Sequence, residues 1–183
     1  MRIITTTGDL ATFVAELEQG PYAAIDTEFM RDQTYWPKLC LVQAAGPGAA
    51  AIIDPLTPGI ELDPLYRLLA NPAVVKVFHA ARQDIEIFHH QGGVIPEPFF
   101  DTQIAAMVCG FGEAASYETL VRKLGKADID KSARFTDWSR RPLSKRQLEY
   151  ALSDVTHLRQ LYEILSAELA KTGRTTWVEE EEA

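Results

Sequence analysis

At 183 residues, 46% of them apolar, the chain has the length of one domain and enough apolar surface for a sizeable core. No apolar run approaches the ~20 residues of a membrane span, and Met-Arg-Ile-Ile-Thr-Thr-Thr lacks the long apolar region of a signal peptide. The formal charge of −8, from 18 basic and 26 acidic residues, argues at face value against a nucleic-acid partner.

An extended stretch over residues 2–5 precedes a helix marked by Leu10, Phe13, Val14 and Leu17 at helical spacing and stopped by Gly20-Pro21. Residues 22–29, 39–45 and 50–53 read as three strands, the last two parted by the turn Gly46-Pro47-Gly48, which predicts an antiparallel meander. A helix over 62–70, a strand over 74–78, a helix over 81–90, a short strand at 99–101 and a helix over 102–109 follow. From Ser116 onward the pattern holds only helices and a basic loop. The last long helix runs from Ser144, where Ser144-Lys-Arg-Gln147 has the form of a capping box, to about Lys171. Strands first and alternating elements after them predict a mixed sheet flanked by helices, an α/β fold. One domain spanning 1–183 is expected, with an acidic tail at about 178–183 disordered and exposed.

Cys40 and Cys109 stand apart in apolar settings, outside any C-x-x-C pair, and read as buried thiols of a cytoplasmic protein. The charge is unevenly spread. Glu179, Glu180, Glu181 and Glu182 hold half of the net negative charge, whereas residues 122–146 carry nine Lys or Arg against three Asp. That basic segment can meet a polyanion.

Three carboxylate signals stand out. In Ile25-Asp26-Thr27-Glu28-Phe29, period-two geometry sends Asp26 and Glu28 to one face of a strand and Ile25, Thr27 and Phe29 to the other. Two carboxylates on an apolar strand repel each other and lose hydration, and a hard divalent cation relieves both costs; a strand end facing water is the plainer reading. Asp84 falls about one turn into the helix after the 74–78 strand, at the strand end where α/β sites form, although a helical Asp followed by Glu86 is also a common solvated face. Tyr150 and Asp154, spaced i, i+4, share one helical face, and alone they read equally as a boundary tyrosine above a surface aspartate.

Together these residues resemble the DEDD superfamily of 3′–5′ exonucleases. Asp26 and Glu28 match its D-x-E motif, Asp84 its second aspartate, and Tyr150-x-x-x-Asp154 its tyrosine-type third motif. Glu149 occupies the place of the histidine in the other subclass. Within the superfamily the chain resembles ribonuclease D. The runs Asp26-Thr-Glu-Phe-Met-Arg, Thr34 to Gln43, His79 to Phe88, Asp101-Thr-Gln-Ile, Asp130 to Arg134, Asp137-Trp138 and Arg141-Pro-Leu143 carry the likeness in order.

The resemblance implies a ribonuclease H-like sheet, two divalent ions (Mg²⁺ or Mn²⁺) about 3.5–4 Å apart, and release of nucleoside 5′-monophosphates from RNA 3′ ends such as tRNA precursor trailers. It places Asp26 between the ions, Glu28 and Asp154 on the nucleophile side, and Asp84 on the other ion. Tyr150 would orient the attacking water, since a phenol of pKa about 10 is a poor base at neutral pH. Thr27, Phe29, His79, Gln83, Lys131, Arg134, Trp138 and Arg141 are candidate substrate contacts, with Phe135 or Trp138 stacking on a terminal base. Against this, His79 reads as a structural histidine, Trp138 as core, and Asp101 as the cap of helix 102–109.

A DNA exonuclease uses the same carboxylates, and a silent binding domain of the same fold is the rival of a different class. Ribonuclease D proteins commonly carry helical nucleic-acid-binding domains after the exonuclease domain. The residues after Lys171 are too few for one, so a minimal form or part of a longer chain, monomeric and without a membrane partner, is expected.

Overall fold

The computed structural model describes residues 1–31 and 35–183; Thr34, which opens one of the ribonuclease D-like runs, lies outside the described residues. The elements are β1 (Ile3–Ile4), α1 (Thr7–Leu17), β2 (Tyr22–Met30), β3 (Lys38–Ala45), β4 (Ala50–Ile53), α2 (Asp63–Ala70), β5 (Val75–Phe78), α3 (Arg82–Gly92), β6 (Phe99–Asp101), α4 (Thr102–Val108), α5 (Tyr117–Leu124), α6 (Lys145–Thr172) and α7 (Thr175–Glu182). The expected mixed sheet is present, in the order β1-β4-β3-β2-β5-β6. Strands β2, β3 and β4 form the antiparallel meander, while β1 pairs parallel with β4, β5 with β2, and β6 with β5.

Alternation along the strands divides the core between two faces. Ile25, Val42, Ala44, Ile53 and Phe78 pack with Leu10, Phe13, Leu65, Leu68, Ile87 and Phe88 of α1, α2 and α3. On the other face Leu41 and Ile52 meet Ala151, and Ala24 and Val77 meet Leu158, both from α6. Each fully buried Leu, Ile or Phe stabilises the fold by about 1.5–3 kcal/mol. Beyond the sheet, α4, α5, α6 and α7 share a second cluster that includes Ala105, Leu120, Leu161, Leu165 and Val178.

Helix α6 is the long element that crosses the site. It begins at the capping box expected from the sequence: Ser144 Oγ accepts from Gln147 N at 3.1 Å, and the Gln147 side chain accepts from Ser144 N at 2.9 Å. It ends at Gly173, whose φ of 71° suits a residue without a Cβ. Between those ends Ala151, Asp154, Val155, Leu158 and Leu161 form its buried face.

The expectation of a disordered acidic tail is corrected. Residues 175–182 form α7, Val178 is buried, and Glu182 Oε1 accepts from Asp101 N at 2.6 Å. One apolar residue just before the acidic run and one backbone donor at the end of β6 anchor it, and composition alone does not register either. No helix among the described residues is long and apolar enough to cross a membrane.

Candidate functional site

The C-terminal half of β2 carries Asp26 and Glu28 out from under the apolar core toward α6, and α6 answers with Tyr150 and, one turn later, Asp154. Carboxylate oxygens of Asp26, Glu28 and Asp154 all lie within 4.8 Å of one another. Three acids so close cannot all ionise without a counter-charge. The carboxyls of Asp26 and Asp154 are accordingly held well above the usual carboxylate range, by burial first and then by neighbouring carboxylates. Glu28 is pushed from 4.5 to about 9, by burial first and then by Asp26. An all-oxygen, like-charged donor set of this kind fits Mg²⁺ or Mn²⁺ better than a soft metal.

Asp84 reaches the same cavity from α3 but stands outside that tight cluster. Its Oδ1 accepts a 2.5 Å hydrogen bond from Thr27 Oγ1. Burial raises its carboxyl to about 7, against the lowering effect of Thr27. The turn delivering α3 places Ala80 at φ 54°, an uncommon backbone for a residue with a Cβ. Asp101 holds that turn: Oδ1 accepts from Ala80 N and Oδ2 from Ala81 N, both at 2.9 Å. Asp101 also caps α4 through Gln103 N at 2.9 Å, so the expected capping role is joined by a second task.

The cavity measures about 390 Å³, and Asp26, Glu28, Asp84, Tyr150 and Asp154 all line it. So do Thr27, Phe29, His79, Gln83, Lys131 and Arg134. Burial and then Asp154 and Glu28 hold the Tyr150 phenol above its ordinary value, so it keeps its proton and acts as a hydrogen-bonding group. His79 Nδ1 lies 2.9 Å from Thr102 Oγ1, and that hydroxyl donates to Phe78 O. Burial lowers the His79 pKa, which makes it a neutral, structurally anchored wall. Lys131 is ion-paired with Glu118. Arg134 sits 5.0 Å over the ring of Phe135, which is 91% exposed at the cavity wall.

Two expected substrate contacts are not in the cavity. Trp138 is 2% exposed and packs with Cys40, Leu41, Ile52 and Ala151, so it is core, and Phe135 is the ring available for stacking. Arg141 is spent on structure: its Nε and Nη2 grip Asp54 at 3.0 and 2.9 Å, and Nη1 and Nη2 donate to Trp138 O and Cys40 O. A guanidinium so engaged has no donor fork left for a phosphate.

Two neighbours of the carboxylates were missed from the sequence. Tyr117, the first residue of α5, lines the cavity and donates to Asp154 O at 2.8 Å, fixing the helix turn that presents the Asp154 carboxylate. Gln43 pairs across the sheet from Asp26, so its side chain shares the face of Asp26 and Glu28. It is fully buried, and neither amide atom has a partner at full hydrogen-bond geometry. It still lies near enough to Glu28 to draw that carboxyl's pKa downward. Neither residue has a spacing signal; Gln43 needs the strand register and Tyr117 needs the docking of α5.

The family model for 3′–5′ exonuclease matches residues 1–170. Ribonuclease D of Jannaschia sp. (strain CCS1) is 62% identical over 182 residues, 97% of this chain and 47% of that protein. The chain thus spans about half the length of the curated relatives it matches. Among solved structures, Escherichia coli RNase D, an exoribonuclease involved in structured RNA processing, superimposes with a TM-score of 0.94 at 36% identity, over 98% of this chain and 48% of that one. Brucella melitensis NrnC with bound Mg²⁺ gives 0.76 at 30% identity, over 97% and 84%; NrnC bound to pGG gives 0.81 at 30%, over 98% and 87%. Because the family model matches residues 1–170 of the 183-residue chain, the chain belongs to the 3′–5′ exonuclease family, and its resemblance to ribonuclease D holds across the described fold.

Proposed function

We propose that this chain is the catalytic domain of a metal-dependent 3′–5′ exoribonuclease of the ribonuclease D kind. It would act in the cytoplasm as a monomer and release nucleoside 5′-monophosphates from RNA 3′ ends. The observation that carries the reading is the convergence of Asp26, Glu28 and Asp154 within 4.8 Å, with Asp84 and Tyr150 lining the same cavity. Asp26, Glu28 and Asp154 would hold one Mg²⁺ or Mn²⁺, and Asp26 with Asp84 a second. Such a pair lowers the pKa of an attacking water and stabilises the leaving 3′ oxygen. The Mg²⁺ bound to NrnC, 30% identical to this chain, supports that choice.

The protein's own groups do the positioning. Tyr150 keeps its proton and hydrogen-bonds the attacking water, holding it in line with the phosphorus. Thr27 fixes the rotamer of Asp84, and Tyr117 fixes the helix turn carrying Asp154. Arg134 places a cation at the wall of a carboxylate-rich cavity, beside a Lys131 already paired with Glu118, and Phe135 offers a face to a terminal base.

A 3′-extended tRNA precursor is the substrate that tests this reading. Stepwise loss of the trailer, one nucleotide at a time and only with Mg²⁺ or Mn²⁺, is expected. An equal rate on DNA of the same trailer sequence would move the reading to a general nucleic-acid exonuclease.

A further inference from the structure

Gln43 of β3 is 0% exposed, and among the described residues neither of its amide atoms has a partner at full hydrogen-bond geometry. An unpaired buried amide is costly, and a methionine of the same length would fill the space without that cost. Packing alone does not account for the residue. Its place on the sheet shows what it faces. Gln43 stands opposite Asp26 in the β2–β3 ladder, which puts Glu28 diagonally beside it, within reach of a long side chain. The irregularity in that ladder falls after Glu28, so the diagonal lies in regular register. Toward β4 its ladder partner is Ile52, which packs with Leu41 and with Ala151 of α6. The amide thus has apolar neighbours on one side and carboxylates on the other.

We infer that Gln43 is a positioning residue for metal binding, its Nε2 donating to the ionised Glu28 carboxylate and holding the rotamer in which Glu28 faces Asp26 and Asp154. The inference rests on the metal-dependent reading of the cavity. Three observations support it. Glu28, Asp26 and Asp154 lie within 4.8 Å of one another, and an ionised carboxylate can only accept hydrogen bonds, so its orientation depends on a donor behind it. That donor must be neutral, because a Lys or Arg there would take the place of the cation. An amide meets the requirement, as the Thr27 hydroxyl does for Asp84. Gln43 already draws the Glu28 carboxyl downward against burial, the sign of a donor to the charged form. Finally, Gln43 lies behind the carboxylates and outside the cavity wall, so it acts through Glu28 and does not touch the RNA.

The test uses Gln43→Met and Gln43→Leu, which remove the donor and keep the space filled. Without metal, both variants are expected to keep the parent Tm or exceed it, because an unpaired amide is gone. Calorimetric titration should show Mn²⁺ binding weakened about tenfold. On single-stranded RNA the Mn²⁺ concentration for half-maximal rate should rise by about the same factor, with kcat at saturating Mn²⁺ and KM for RNA kept. A lower metal-free Tm in both variants would assign Gln43 a structural role and overturn the inference. Parent-like Mn²⁺ affinity in a variant that keeps its Tm would overturn it as well, and so would a lost rate that excess Mn²⁺ does not restore. If Mn²⁺ affinity falls as expected but the parent protein cuts no RNA, the positioning role stands and the exonuclease reading fails.

Discussion

Thr27 Oγ1 donates to Asp84 Oδ1 at 2.5 Å, joining the middle residue of the β2 motif to the first turn of α3. The middle position of Asp26-Thr27-Glu28 is therefore no spacer. The alternation that turns Asp26 and Glu28 toward α6 turns Thr27 the other way, where it catches the fourth carboxylate. Replacing Thr27 by Val keeps the shape and removes the donor, leaving Asp84 buried without its partner. Turnover is expected to fall about tenfold and Mn²⁺ affinity to drop, whereas Thr27→Ser preserves both. Steady-state kinetics and calorimetric Mn²⁺ titration check this; equal Mn²⁺ affinity in the Val and Ser variants would refute it.

Tyr150 is assigned a hydrogen bond to the attacking water, with its phenol held protonated by burial and by Asp154 and Glu28. Tyr150→Phe is expected to lower kcat about 10- to 100-fold, the scale of one lost hydrogen bond in the transition state. Mn²⁺ binding should persist, because the substitution leaves the close carboxylates Asp26, Glu28 and Asp154 in place. Lost Mn²⁺ binding in this variant would remove the role.

The carboxylate cluster also gives stability a pH signature. Glu28 has its pKa raised from 4.5 to about 9, and Asp84 from 3.8 to about 7. A carboxyl whose folded pKa lies above its unfolded one binds more protons folded than unfolded between the two values, so stability falls as pH rises through that window. Glu182, raised to about 7 by burial at Asp101, adds in the same direction, and Asp54, lowered beside Arg141, opposes it at acid pH. Without added metal, Tm should therefore decline from about pH 5 to pH 9. Saturating Mg²⁺ should flatten the decline, because the ion replaces the protons as counter-charge. A metal-free Tm that rises across this range would contradict the electrostatic reading of the cluster.

Much of this site is legible in the sequence because its geometry is local. Asp26 and Glu28 share a face by strand alternation, Tyr150 and Asp154 by helical spacing, and Asp84 follows a strand that ends at Phe78. What is not legible depends on distant partners. Arg141 belongs to a basic segment, and only the fold shows that Asp54, 87 residues away, has claimed it. Trp138 reads from the sequence either as a stacking ring or as core, and only its packing with Cys40, Leu41, Ile52 and Ala151 decides for core. Gln43 is paired with Asp26 by a register that also carries an irregularity between Glu28 and Phe29, which alternation alone does not foretell. The acidic tail becomes a helix because Val178 and Glu182 find partners at α4 and β6.

Arg141 offers a direct contrast with the residues of the cavity. Its two bonds to Asp54 and its bonds to the carbonyls of Trp138 and Cys40 tie the basic loop to β3 and to the end of β4. Arg141→Ala is expected to cost about 1–3 kcal/mol of stability, below the full value for a buried pair because both side chains keep some solvent contact. KM for RNA should stay within about twofold, a change of under 1 kcal/mol. Denaturant unfolding and steady-state kinetics separate the two effects; an unchanged unfolding midpoint with a raised KM would return Arg141 to the substrate.

The most direct measurement is digestion of a 5′-labelled single-stranded RNA, resolved to single nucleotides, with Mg²⁺, with Mn²⁺ and with EDTA. A ladder that shortens one nucleotide at a time from the 3′ end in either metal is expected, together with a nucleoside 5′-monophosphate product, no reaction in EDTA, and loss of activity in Asp26→Asn. Cleavage that persists in EDTA, or internal cuts in place of a 3′ ladder, would contradict a carboxylate–metal exonuclease at Asp26, Glu28, Asp84 and Asp154.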